Sequence, residues 1–482
     1  MVTGLLVAGR FVADGMPTEV VDKYSGEVAG IVHAAKPAHV SEAVGAGLQA
    51  VDSARLPPRR RSDILAGAAG ALRSRHDAIV RDYVAETGFT VRDADTEIER
   101  AAEILRLSGE EALRLVGEVI PVASSPGSEH RLAFTLRIPV GVVGAIAPFN
   151  APLSTVAHKV APALAAGNAV VVKPAGQTPL SAVHLCEALL EAGLPPPLLS
   201  CLPGPGSTVG AALLADTRVR YFTFTGSTEV GLLVKRCSGI AKTHLELGSS
   251  SATIVCADAD IELAAELIVR GGYRKAGQVC TSVQRVFPVQ AVADVLEEAL
   301  ARRVRQLVAS DPRRPESDLG PMIARSECER ALGWVQDACA EGARLLAGGE
   351  HDGSILAPTL LADVPDHSRL LQEEIFAPVV AVHIVDGIES AIEHANSTRY
   401  GLQAGVFTRD LDVALHIADR LRVGGVMIND SSSYHADVMP YGGVRDSGYG
   451  SEGPKYAVMD MTDPKIVVVN RRPPTADTLP HQ

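Results

Sequence analysis

A chain of 482 residues, 46% hydrophobic and 21% charged, is too long for one ordinary domain and has the balance of a core-forming protein, so two or three domains are expected. A net charge of −12 argues against a nucleic acid or a membrane surface as partner. It leaves anionic small molecules open, because a local Arg and His cluster outweighs distant charge screened over roughly 10 Å.

In chain order, the N-terminal stretch has no basic region followed by a long apolar run, so no signal peptide is expected. No apolar stretch approaches the ~20 residues of a membrane helix. Seven scattered cysteines without a CxxC pair fit a reducing cytosol, and no Cys and His spacing points to a metal. Helical periodicity then alternates with short β-branched runs, the pattern of an α/β protein with parallel sheets. The run from Gly141 to Pro148 reads as a strand ending at a proline, followed by a helix from Pro152 to Ala166 and the strand Ala169 to Lys173. A helix from Ser181 to Ala192 ends at Gly193, and the strand Tyr221 to Thr225 leads through Gly226-Ser227 into a helix from Glu229 to Cys237. This succession is that of a dinucleotide-binding domain. A second α/β unit begins near Ser250, with a helix from Ile261. Arg131 to Arg137 and Lys465 to Asn470 read as edge strands awaiting a partner, from another subunit if not from this one. The Pro-rich tail from Arg471 to Gln482 reads as poorly ordered.

Chemistry concentrates at a few positions. Cys280 lies in Gly277-Gln278-Val279-Cys280-Thr281-Ser282, a polar turn that would end a helix and expose a thiol able to add to a carbonyl carbon. Glu246, at the end of an apolar strand, would have its pKa raised by burial toward the range of a general base. Asn150, in Pro148-Phe149-Asn150-Ala151-Pro152, is a loop amide that suits a developing oxyanion together with the backbone N–H of Cys280. Lys173 stands at a strand's carboxyl end, where open α/β sheets bind ligands. Phe224-Thr225-Gly226-Ser227 opens a helix whose N-terminus favours a pyrophosphate, although no GxGxxG follows any strand. Gly204-Pro205-Gly206-Ser207 is a second tight turn that tolerates phosphate.

Taken in order, these segments resemble the aldehyde dehydrogenase superfamily over nearly the whole chain. The likeness continues through Glu246-Leu247-Gly248, Glu373-Glu374-Ile375-Phe376-Ala377-Pro378, Tyr400-Gly401-Leu402 and Pro440-Tyr441-Gly442-Gly443. It implies an α/β fold of two Rossmann-type parallel-sheet domains and a small β oligomerisation arm. The NAD(P)-binding domain would span 1–116 and 140–248, the catalytic domain 249–441, and the arm 117–139 and 456–482. The resemblance also implies Cys280 as nucleophile, Glu246 as general base and Asn150 as oxyanion donor. NAD or NADP would be held by Ala147, Phe149, Lys173, Gly176, Gly206, Phe224, Gly226, Ser227, Glu374 and Phe376. A homodimer or homotetramer is expected. Two departures stand out. Ser249 replaces the second glycine of Glu-Leu-Gly-Gly, and Gly176 stands where NAD-preferring members often carry Glu, so neither cofactor is repelled.

The segments Met439 to Gly448 and Ala157 to Pro162 narrow the likeness to the lactaldehyde, phosphonoacetaldehyde and non-phosphorylating glyceraldehyde-3-phosphate dehydrogenase group. There Arg100 matches an arginine that binds an anionic head, and His158 matches the histidine of the phosphonoacetaldehyde branch. Val279, where phosphate-binding relatives often carry Arg, together with Thr281 and His435, completes the expected substrate tunnel. A short aldehyde with a phosphonate, phosphate or carboxylate head is the leading expectation, and a neutral lactaldehyde-type substrate the alternative. Glu246 argues against acyl transfer to coenzyme A, and the intact thiol and cofactor motifs argue against a non-catalytic relative. A cysteine hydrolase would leave those cofactor motifs unexplained.

Overall fold

The strands Val142–Ile146 and Ala169–Lys173 are apolar and buried along their whole length, as expected of central strands covered by helices on both faces. In the computed structural model, which describes residues 2–471, they lie at the centre of an eight-stranded sheet. Its parallel core runs in the order Lys242–Glu246, Val219–Thr225, Val142–Ile146, Ala169–Lys173, Leu199–Cys201. The order reverses between Val142–Ile146 and Val219–Thr225, and ligands bind at such a switch point, outside the carboxyl ends of the strands. Gly144 is required there, since a Cβ would lie 2.9 Å from the Phe222 ring.

A seven-stranded sheet is built mainly from the second half of the chain, with Ser251–Val255, Val283–Pro288, Val379–Val382 and Gln403–Phe407 at its parallel centre. The helix Val91–Arg114, capped by Thr90 and Asp93, packs on the helix Ser154–Ala165. Together these two helices present Arg100 and His158 to the region between the sheets. A separate three-stranded sheet pairs Thr462–Asn470 with Arg131–Pro139 antiparallel, and Val119–Ile120 with the other side of Arg131–Pro139. The two expected edge strands therefore find each other within one chain. Period-2 patterning cannot reveal this, because the partners lie more than three hundred positions apart in sequence. Among the described residues the outer edge of Thr462–Asn470 is unpaired, and Ile466 and Val468 on it are exposed. The tail expected to be poorly ordered lies outside the described residues beyond Arg471. Among the described residues no helix is long and apolar enough to cross a membrane.

Candidate active site

The nucleophile segment follows the helix Ile261–Tyr273 through Lys275 (φ 52°), Ala276 (φ 52°) and Gly277 (φ 66°), three successive residues in the left-handed region. Each non-glycine residue there costs about 1–2 kcal/mol, so surrounding contacts must hold the turn. The buried Lys275 ammonium donates to Glu97 Oε1 and to the Asn150 carbonyl, each at 3.0 Å. Gln278 Oε1 accepts from the Ile323 N–H at 3.0 Å, and Asn150 Nδ2 donates to the Gln278 carbonyl at 2.8 Å. A Cβ on Gly277 would sit 2.1 Å from the Ala377 carbonyl oxygen.

This turn delivers Cys280 to a cavity of about 1100 Å³. Its Sγ lies 2.9 Å from the Tyr441 hydroxyl. Burial pushes the thiol up to about 12; the Tyr441 hydrogen bond opposes the rise, while the charges of Glu246, Glu374 and Glu452 add to it. Burial and the neighbouring Cys280 also hold Tyr441 well above its usual value. The hydroxyl therefore keeps its proton and can donate to the sulfur once the thiol ionises.

Glu246 ends the strand Lys242–Glu246 and lines the same cavity. Burial raises its carboxyl to about 7, against the lowering effect of His244, whose Nε2 lies 2.8 Å from Oε1. Its Oε2 is buried with no hydrogen-bond partner among the described residues. Behind it, Lys159 Nζ donates to Thr225 Oγ1 at 2.6 Å and pairs with Glu452 at 3.2 Å. Burial alone would raise Glu452, but the Lys159 ammonium and nearby histidines hold it down to about 2.

The expected cofactor residues Ala147, Phe149, Lys173, Gly206, Phe224, Gly226, Ser227, Glu374 and Phe376 also line this cavity; Gly176 does not. Ser227 caps the helix Thr228–Cys237 by accepting from the Val230 N–H, and both residues line the cavity. Lys173 Nζ donates to the Pro174 carbonyl at 2.8 Å, and burial lowers its pKa. Glu374 accepts from the Ser249 N–H at 2.9 Å, so the serine that replaces a family glycine contributes through its backbone. A Cβ on Gly248 would lie 2.6 Å from Glu374 Oε2. A helix N-terminus, an ammonium and a carboxylate around one large cleft fit a dinucleotide with room left for a short substrate.

Arg100, His158, Val279, Thr281 and His435 line the other part of the cavity. Asp437 stands among them. Arg100 Nη2 donates to Asp437 Oδ1 at 2.8 Å, and His158 Nε2 lies 3.3 Å from the same oxygen. Burial would raise Asp437, but the His158 hydrogen bond and the Arg100 charge hold it well below the carboxylate range. Burial, reinforced by Arg100, pushes His435 down to about 3. The neutral ring accepts from Arg100 at Nδ1, 3.0 Å away, which places its proton on Nε2.

No local pattern marks Asp437, His244, Glu452, Lys275 or Glu97. Tyr441 and Lys159 carried local signals, in Pro440-Tyr441-Gly442-Gly443 and in Ala157 to Pro162, but these motifs assign them no role.

Comparison with known proteins agrees with this geometry. The profile of the aldehyde dehydrogenase family matches residues 11–467. The 3-sulfolactaldehyde dehydrogenase of Priestia aryabhattai is 44% identical over 467 residues, covering 97% of this chain and 98% of that protein. The lactaldehyde dehydrogenase of Methanocaldococcus jannaschii is 35% identical over 458 residues, covering 94% and 97%. The crystal structure of NADP-dependent glyceraldehyde-3-phosphate dehydrogenase from Bacillus halodurans, complexed with NADP, superimposes with a TM-score of 0.95 at 35% identity, covering 98% of this chain and 99% of that one. The chain belongs to the aldehyde dehydrogenase family and is an NAD(P)-dependent aldehyde oxidoreductase.

Proposed function

We propose that the enzyme oxidises a short-chain aldehyde with an anionic head group to the carboxylic acid, by covalent addition at Cys280 followed by hydrolysis. The observation that carries this reading is a carboxyl poised near 7, with a free buried oxygen, in the same cavity as the thiol. The Cys280 proton leaves toward Glu246 as sulfur adds to the carbonyl carbon, and Tyr441 steadies the thiolate. Asn150 Nδ2 has one N–H committed to Gln278; the other, with the Cys280 N–H, opposes the oxyanion. The bound nicotinamide cofactor supplies the hydride acceptor. Glu246 gives the thiol proton up to solvent, takes a proton from the water that attacks the thioester, and the acid is released as the C–S bond breaks and returns Cys280 as the thiolate. Lys173, Glu374 and the helix start at Ser227 would hold the cofactor. Gly176 has open space around it and no carboxylate to repel a 2′-phosphate, so NADP and NAD are both accepted.

Arg100, His158 and the Nε2–H of His435 supply the head-group donors. Asp437 neutralises part of that positive charge. It favours a second reading, a neutral hydroxyaldehyde whose hydroxyl donates to this carboxylate. The relatives named for sulfolactaldehyde and for lactaldehyde correspond to these two readings.

The test is reduced-cofactor formation across matched sulfonate-, phosphonate-, phosphate- and carboxylate-bearing aldehydes and neutral ones of equal length, with NAD and NADP in parallel. A preference for the anionic set that Arg100→Ala erases supports the reading. Equal rates on neutral aldehydes, untouched by that substitution, transfer it to the lactaldehyde type.

The same proposal includes a cofactor domain of 1–116 and 140–248, a catalytic domain of 249–441, and a homodimer or homotetramer joined through the arm. The exposed Ile466 and Val468 on an unpaired strand edge support the last point. A cytoplasmic site of action is supported by seven free thiols.

A further inference from the structure

Away from the cavity, the loop after Thr359–Ala362, the end of the strand Val379–Val382 and the helix Ile388–Asn396 bring Asp366, His383 and His394 together. His383 Nε2 and His394 Nε2 each lie 3.1 Å from Asp366 Oδ1, and the three atoms lie within 4.8 Å of one another. The other ring nitrogens settle the protonation. His383 Nδ1 is 2.8 Å from the Val364 carbonyl oxygen, and His394 Nδ1 is 2.7 Å from that of Ser390. A carbonyl only accepts, so both Nδ1 atoms carry protons and donate. In the neutral rings both Nε2 lone pairs then point toward a carboxylate oxygen. Acceptors so close together are relieved by a cation among them, either added protons or a metal ion.

The arrangement matches a metal site on three counts. Metal-binding imidazoles commonly donate their second N–H to a carbonyl or carboxylate, as both do here. Neighbouring ligands around tetrahedral zinc, at about 2.0–2.1 Å from the metal, stand roughly 3.3 Å apart, close to the 3.1 Å from Asp366 Oδ1 to each imidazole nitrogen. The Phe287 ring packs at 6.2 Å from His383 and 5.8 Å from His394, which orients both imidazoles, while Asp366 faces solvent and leaves an entry path. By contrast, in the His158–His435–Asp437 group the Arg100 guanidinium already bonds His435 and Asp437, which opposes a metal cation.

We propose that Asp366, His383 and His394 form a divalent transition-metal site of zinc type, with its remaining position open to water. Asp366 and His383 flank the segment that carries Glu374 and Phe376. The ion clips the base of that segment to the helix Ile388–Asn396. It is a structural clip, remote from the thiol chemistry.

The experiment uses the full-length enzyme stripped with chelator and titrated with Zn²⁺ alone. Binding is measured by equilibrium dialysis in wild type, His394→Ala and Asp366→Asn. Cys280 is intact in all three, so zinc held by thiols cancels in the comparison. The wild type is expected to bind one more Zn²⁺ per chain than either variant. Its melting temperature is expected to rise with Zn²⁺ concentration, because the ion binds the folded state, and that rise should vanish in both variants. Should His394→Ala fail to fold, the exposed Asp366→Asn still decides. Equal zinc stoichiometry in wild type and Asp366→Asn overturns the site, as does an equal thermal response. Turnover of the metal-free wild type is read in parallel, so a failed zinc site and a failed dehydrogenase reading remain distinguishable.

Discussion

His244 Nε2 lies 2.8 Å from Glu246 Oε1, and both side chains are buried on the same strand, two residues apart. Burial raises Glu246 to about 7, and His244 opposes that rise. Removing the imidazole in His244→Ala therefore raises the carboxyl further, so less base is ionised at neutral pH. The acidic limb of the kcat profile should move up by about one pH unit, with the rate recovering at high pH. A limb that stays in place would show that His244 only fills space. The same shift has a stability consequence with a definite sign. A carboxyl raised above its unfolded value stabilises the fold fully below about pH 4.5, and that contribution is lost as pH rises through about 7.

The Tyr441 hydroxyl lies 2.9 Å from Cys280 Sγ, and its hydrogen bond is the contact that lowers the thiol's pKa. Hydrogen bonds to charged groups contribute about 1.5–3 kcal/mol, so Tyr441→Phe should slow alkylation of Cys280 at fixed pH by about tenfold or more. An unchanged alkylation rate would leave the hydroxyl without a part in activating the thiol.

Asp437 holds Arg100 at 2.8 Å and so competes with any anionic head group. Asp437→Asn should lower KM for an anionic aldehyde about tenfold, and Arg100→Ala should raise it by a similar factor, with little effect on neutral analogues. Parallel changes for charged and neutral substrates would show that the pair only shapes the tunnel.

Gly277 has φ 66°, and an added Cβ would meet the Ala377 carbonyl at 2.1 Å. Gly277→Ala should destabilise the fold by about 1–3 kcal/mol and reduce kcat, because the strained turn sets the position of Cys280. Chemical denaturation and steady-state rates check both; a variant as stable and active as wild type refutes the strain argument.

Much of the fold was legible because strands and helices announce themselves locally. Ala169–Lys173 has the bounds expected from its apolar run, and the helix Thr228–Cys237 starts one residue from its expected position. Cys280, Glu246, Asn150 and Lys173 stood out because each sits where a local break in pattern puts a reactive group at the end of an element. Glu374, Phe376, Arg100, His158 and Gly176 rest on the family likeness; the first four line the cavity and Gly176 lies outside its lining.

The sequence by itself determined the α/β alternation, the order of the motifs and the residue types able to do thiol chemistry, since periodicity and turn chemistry depend on near neighbours. Only the tertiary structure decided the charge state of the site. Tyr441 meets Cys280 across 161 positions, Asp437 meets Arg100 across 337, and Glu97 meets Lys275 across 178. Burial and Coulomb interaction act through space, and packing brings together groups that no local pattern connects.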